Sequence, residues 1–195
     1  MGLYTFYRIS KPSADKVEPD KVDQTYISLR RRTFWGATIA YSLYYVCRMS
    51  LSVVKQPLID EGVLTAGELG LIGSALLLVY AVGKFMNGFI ADYCNVRRFM
   101  ATGLLISTLV NLLMGVFGLL QGPAGLPSVL IFVSFAVLWG VNGWAQSMGS
   151  PPGVISLSRW FPQSKRGTCY SMFSSSPYIG EFLSFIITGF VVGAL

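Results

Sequence analysis

Histidine is absent from all 195 residues. That removes His-based metal sites, His general bases and an imidazole charge switch near neutral pH. Cysteine is scarce: Cys47, Cys94 and Cys169 lie far apart, are odd in number and form no Cys-x-x-Cys pair. Neither a disulfide framework nor a zinc site is expected from them, and no metal or cofactor is predicted. Charge is equally sparse, at 12% of residues, where a soluble domain carries about 25%. Paired carboxylates, a nucleophile–base set and a Gly-rich phosphate loop ending in Lys-Ser/Thr are all missing, so an enzyme is not expected, nor is a nucleic-acid partner.

What the chain does have is apolar length. Hydrophobic residues make up 53% of it and the mean hydropathy is +0.57. This excludes a disordered chain and a water-soluble globule, and it predicts an all-α membrane protein with about five transmembrane helices. Residues 1–33 read as a polar tail with Pro12 and Pro19, ending in Arg30, Arg31 and Arg32. No apolar core follows Met1, so no secretory signal peptide is expected. The spans fall at about 34–54, 69–90, 100–120, 128–148 and 170–195. Pro57 and Asp60-Glu61-Gly62 close the first, and Thr65-Ala66-Gly67-Glu68 reads as a capping box before the second. Gly149 to Gly153, with Pro151 and Pro152, breaks the fourth, and Pro177 lies near the start of the fifth. Gly73, Gly83, Gly88, Gly140 and Gly143 are expected to permit close helix contact.

The cations are distributed asymmetrically. Arg8, Lys11, Lys16, Lys21 and Arg30 to Arg32 precede the first span, Arg97 and Arg98 follow the second, and Arg159, Lys165 and Arg166 follow the fourth. The loops of opposite side hold only Lys55. Twelve against one places the N-terminus in the cytoplasm and, after five spans, Leu195 on the outer side.

Two cations remain inside the spans, Arg48 and Lys84. At 1.5 Å per residue, Arg48 lies ~21 Å from Phe34 and Lys84 ~22 Å from Leu69, which puts both near the midplane. Cations at such depth face polar cavities and mark function; the alternative is that each snorkels to its nearer interface. Tyr41, Tyr45, Arg48 and Ser52 follow i, i+4, i+7, i+11, one helical stripe, and Tyr80, Lys84 and Asn87 repeat it on the second span. Asn111, Asn142 and Gln146 add amides, and Glu181 is the obvious acid in the other spans, a possible charge partner. Phenol, amide and cationic donors around one cavity suit an oxyanion on a hydroxylated carbon skeleton; Arg supplies a planar fork and Lys a mobile point charge. Tyr44 reads equally as a packing residue.

Tyr41-Ser-Leu-Tyr-Tyr-Val-Cys-Arg48, Tyr80-Ala-Val-Gly-Lys84, Gly88-Phe-Ile-Ala-Asp92-Tyr-Cys-Asn-Val-Arg97, Gln146-Ser-Met-Gly149-Ser-Pro151-Pro152 and Arg159-Trp160-Phe161 occur in that order. Over roughly residues 26–195 the chain resembles the organophosphate:phosphate antiporters of the major facilitator superfamily, and Gly-Ser-Pro after Gln146 looks more like their hexose-phosphate sensor and transporter branch. The resemblance implies a carrier that exchanges a sugar phosphate for inorganic phosphate by alternating access. It gives Arg48 the phosphoryl group, lines the pore with Lys84, Tyr80, Tyr41 and Tyr45, and makes Asp92 and Arg97 a conformational latch. From the residues alone, Asp92 and Arg97 read as a loop ion pair worth ~0–1 kcal/mol.

The chain departs from the pattern at Tyr93, where a basic residue is common, at Pro177, where many members have His, and at Glu181, which replaces Gly. The resemblance also implies twelve helices in two six-helix halves. The chain therefore reads as an incomplete N-terminal bundle, truncated before its sixth span, lacking the C-terminal half and inactive alone. A membrane sensor reporting external hexose phosphate to a signalling partner is the alternative reading, and a bacterial inner membrane the expected location.

The orientation is directly testable. In a variant lacking the three native cysteines, Glu61→Cys is expected to react with an impermeant maleimide added outside intact cells. Lys165→Cys is expected to react only after permeabilisation, and the reverse pattern contradicts the assignment.

Overall fold

The computed structural model describes residues 6–9, 16–124 and 127–194, with side chains up to Gly118 and from Pro127 to Phe190 in the bundle. A 3₁₀ turn, Pro19–Lys21, leads into seven α-helices: α1 Val22–Asp60, α2 Ala66–Tyr93, α3 Val96–Ala124, α4 Ser128–Ser147, α5 Ser150–Trp160, α6 Gln163–Phe173 and α7 Ser176–Ala194. Among the described residues all regular structure is helical, as a chain surrounded by lipid requires if its backbone groups are to bond internally. Among the described residues three stretches are long and apolar enough to cross a membrane: Ala66–Tyr93, Val96–Gly118 and Ser128–Trp160. α1 is long enough but is diluted by Arg48, its serines and its tyrosines.

The expected boundary at residue 33 falls inside α1. At 39 residues this helix is ~58 Å long, far more than the hydrocarbon layer needs. Its first turns are held by α5: the Tyr26 hydroxyl donates to the Trp160 carbonyl (2.6 Å), and the two rings stack with centroids 6.0 Å apart. The Arg30 guanidinium lies 5.3 Å from the Tyr26 ring centroid and 5.2 Å from that of Phe161. Part of the predicted polar tail is thus a helix docked on aromatic residues over a hundred positions away.

Pro57 does not close α1 but sits within its last turns, and the helix ends where Gly62 adopts φ +67°. The Gly62 amide donates to Ile59 (3.0 Å) and the Val63 amide to Leu58 (3.0 Å), with Val63 and Leu58 packed in one cluster. This is a Schellman stop, for which glycine's left-handed conformation is suited. α2 then starts with the expected capping box: the Glu68 amide donates to Thr65 Oγ1 (3.2 Å) and the Thr65 amide to Glu68 Oε2 (2.8 Å). Pro151 and Pro152 also differ from expectation. They open α5 rather than simply ending the fourth span, since proline's missing N–H costs nothing in the first turn of a helix. The fifth span starts late, because α6 is a separate short helix and α7 begins at Ser176.

Packing pairs α2 with α4 and α1 with α7, while α3 bridges α1 and α4. Small residues set the spacing. A Cβ on Gly143 would overlap the Leu76 carbonyl, and one on Gly180 would overlap that of Ser42. Gly83 is similarly blocked by Ser147 and Trp144, whereas Gly73 and Gly88 face open space and play no such role. Ser42 Oγ donates to the Ser176 carbonyl (2.9 Å), tying α1 to the start of α7.

Gly143→Ala is expected to lower stability by ~1–3 kcal/mol through overpacking. Gly73→Ala is expected to be neutral or slightly stabilising, since alanine is the better helix former. Thermal unfolding in detergent compares them; equal midpoints would contradict the close α2–α4 contact.

Candidate functional site

The two cations within the spans, half-buried Arg48 and exposed Lys84, meet at one aromatic ring. Tyr80, on α2, carries the Arg48 guanidinium 4.7 Å from its ring centroid and the Lys84 ammonium 5.5 Å from it. Arg48 also lies 5.5 Å from the Tyr45 ring, one turn back on α1. The pairing follows from helical spacing: Tyr80 and Lys84 are i, i+4 on α2, Tyr45 and Arg48 are i, i+3 on α1, so each cation lies beside an aromatic face on its own helix. Arg48 then reaches across to the second helix. Such contacts are electrostatic, between the cation and the ring quadrupole, and strengthen as water is removed.

Tyr41 continues the wall. It is buried, edge-on to Tyr45 (5.4 Å, 85°) and stacked on Phe173 of α6 (5.1 Å, 13°). Phe173, which the sequence reading did not single out, had as its only signal an apolar position in a polar stretch. Gly149 lies against the rings of Tyr41 and Tyr44, so the α4–α5 break is packed on this wall.

Several expected members are spent elsewhere. Gln146 Nε2 donates to the Tyr44 carbonyl (2.9 Å) and to Ser107 Oγ (2.7 Å), and Ser107 in turn donates to Asn142 Oδ1. Asn111 Nδ2 donates to the carbonyls of Cys47 (3.0 Å) and Ser107 (2.8 Å), while Ser50 donates to its Oδ1. These amides cross-link α1, α3 and α4 rather than joining the cations. Asn87 leaves the α2 stripe for the same reason: it is buried and donates to Ser147 Oγ (2.6 Å). Tyr44 is fully buried with its hydroxyl on the Met100 carbonyl (2.7 Å), a packing residue.

Glu181 forms no ion pair with Arg48 or Lys84; among the described residues the one ion pair is Lys21–Glu18, on the surface. Asp92 and Arg97 are likewise unpaired with each other. Both are exposed at opposite ends of the α2–α3 turn, and the group bonded at Asp92 is its backbone carbonyl, which accepts from Arg159 (3.4 Å). A cavity of about 270 Å³ lies farther along α1 and α3, bounded by Ser50, Leu51, Asn111, Phe135, Trp139 and Thr188. Its walls are largely apolar and include neither cation.

A guanidinium fork and an ammonium around one ring, with no ion-paired carboxylate among the described residues, offer the donors that a polyvalent oxyanion can take. Comparison with known proteins gives the family. The sequence model of the Major Facilitator Superfamily matches residues 37–195. A probable hexose phosphate transport protein of Chlamydia pneumoniae is 35% identical over 98% of this chain and 40% of its own length. The glycerol-3-phosphate transporter of Haemophilus influenzae is 35% identical over 87% of the chain and 34% of itself. The membrane sensor protein UhpC of Escherichia coli is 29% identical over 87% and 35%. The chain thus spans about two fifths or less of the length of these relatives.

If the cations hold a positive field, Tyr80→Cys in a cysteine-free background is expected to react faster with an anionic thiosulfonate than with its cationic analogue. A ratio of roughly tenfold or more is expected from two charges at this range. Arg48→Gln should collapse the ratio, and equal rates before that change would contradict the field.

Proposed function

Since the chain belongs to the Major Facilitator Superfamily, we propose that it carries one wall of a binding site for organophosphates in an integral membrane transporter. The finer reading is exchange of a sugar phosphate, hexose phosphate favoured, for inorganic phosphate by alternating access. The observation that carries it is the carboxylate-free pairing of Arg48 and Lys84 about Tyr80. The printed names of the relatives, hexose phosphate and glycerol-3-phosphate transporters, support the same substrate class.

In this reading the Arg48 guanidinium takes two phosphoryl oxygens in a bidentate pair. Lys84 neutralises further charge. The hydroxyls of Tyr45 and Tyr80 present polar groups to the bound anion, and Tyr41 on Phe173 stiffens the wall. An anion shared by both inorganic phosphate and the phosphorylated sugar explains why one site would serve two exchanging substrates. Alternating access needs two bundles that rock against each other. The relatives are more than twice as long, so the facing wall belongs to sequence outside these 195 residues, and the chain alone is expected to exchange nothing. Asp92 and Arg97 would then act as a latch formed in another state of the cycle. The N-terminus lies in the cytoplasm and the membrane is a bacterial inner membrane.

A sensor is the second reading, favoured by the likeness to UhpC and by α1's extension, which docks on α5 and so links the anion-binding helix to the cytoplasmic side. In it, hexose phosphate alters association with a signalling partner while exchange is negligible.

Proteoliposomes holding the natural gene product separate the readings. Phosphate-loaded vesicles are expected to exchange label for external hexose phosphate, and Arg48→Lys is expected to weaken apparent substrate affinity about ten- to a hundred-fold, the loss of charge-assisted hydrogen bonds. Unaltered exchange in Arg48→Lys would overturn the site; absent exchange with ligand-dependent partner capture would favour the sensor.

A further inference from the structure

At the α2–α3 turn lies a second basic pocket that includes neither Arg48 nor Lys84. It encloses about 460 Å³ beside the first turns of α3 and is walled by Phe6, Arg97, Arg98, Ala101, Thr102 and Leu105. We propose that this pocket binds an anionic phospholipid, with Arg97 and Arg98 on its phosphate and the Ala101–Leu105 face along its acyl chain.

The pocket is built rather than incidental. Phe6 belongs to an N-terminal segment that folds back over the α2–α3 turn. The Asn95 amide donates to the Tyr7 carbonyl (2.7 Å), and the Tyr7 ring meets Phe99 edge-on (6.2 Å). Arg98 Nη1 donates to the Phe6 carbonyl (2.7 Å) while its guanidinium lies 5.1 Å from the Phe6 ring centroid. Arg98 is therefore held in place instead of reaching freely into water, and most of its five donors are left over. Arg97 is exposed, and among the described residues its side chain has neither an ion pair nor a hydrogen bond. Among the described residues no carboxylate lines the pocket.

The walls run from charged to apolar along the membrane normal. Arg97 to Leu105 covers eight residues, ~12 Å of helix. The same α3 face continues through Leu109 and Leu112, all with Leu105 more than half exposed, while Met100, Gly103, Ser107 and Val110 turn inward. A cationic rim above an apolar strip matches a phospholipid, headgroup to chain. It does not match free phosphate, for which the strip has no use. Basic pockets at the cytoplasmic ends of membrane helices attract acidic lipid, each Lys or Arg contributing several-fold in affinity. Because Phe6 is both wall and partner of Arg98, a bound lipid would pin the N-terminal segment to α3.

The test uses the natural gene product in detergent, with added phosphatidylglycerol, phosphatidylcholine or inorganic phosphate, read by native mass spectrometry and by thermal unfolding. Phosphatidylglycerol is expected to bind and raise the unfolding midpoint, and phosphatidylcholine is not. Arg97→Gln/Arg98→Gln should reduce phosphatidylglycerol retention by roughly thirty-fold. Arg97→Gln alone removes no contact of the fold, so it should lose roughly five-fold without destabilising the lipid-free protein. Arg31→Gln/Arg32→Gln, two exposed arginines outside the pocket, should retain binding. Equal retention in the Arg97 and Arg98 variants, an equal loss in the Arg31 and Arg32 control, or the same stabilisation from inorganic phosphate would each overturn the proposal. None of these readouts depends on transport.

Discussion

Two positive charges within apolar stretches of a membrane protein must be accommodated, and the bundle does so with one aromatic ring. Arg48 and Lys84 lie at 4.7 and 5.5 Å from the Tyr80 centroid. A ring quadrupole softens the cost of each cation but cancels neither, so the pair keeps its appetite for an anion. A carboxylate in the same place would quench it. The main packing partners of α1 and α2 are α7 and α4, while Leu51 of α1 and Leu69 and Ile72 of α2 share one apolar cluster.

The rest of the structure holds that pairing still. Amides that could have served the site instead bind backbone carbonyls and hydroxyls of neighbouring helices, Gln146 joining α4 to α1 and α3, Asn111 joining α3 to α1. In lipid such bonds replace water that is not there. Glycines at positions 143 and 180 let helix backbones approach, and aromatic stacking of Tyr41 on Phe173 ties the site's wall to α6. The N-terminal part of α1, bound at Tyr26 and Arg30, extends the same helix that bears Arg48 to the end of α5.

Much of this was readable in one dimension. Cations inside apolar runs stand out against their neighbours, and helical spacing set Tyr45 beside Arg48 and Tyr80 beside Lys84. The capping box at Thr65 and Glu68 is local, and so was legible too. What escaped were outcomes decided by distant partners. Nothing near Tyr26 announces that Trp160 will hold it in a helix, and nothing near Asn87 or Gln146 tells whether an amide faces a cavity or a neighbouring carbonyl. The same gap explains Glu181, whose charge suggested a partner but which forms no ion pair with Arg48 or Lys84. Pro151 and Pro152 were ambiguous for another reason: proline is compatible with the end of one helix and the first turn of the next.

The central claim is that Arg48 and Lys84 together hold a phosphoryl anion. Equilibrium binding of radiolabelled inorganic phosphate to the natural gene product in detergent measures this without requiring transport. Saturable binding displaced by a sugar phosphate, and abolished in Arg48→Gln/Lys84→Gln with the fold intact, is the predicted result. Undiminished binding in that double variant would contradict it.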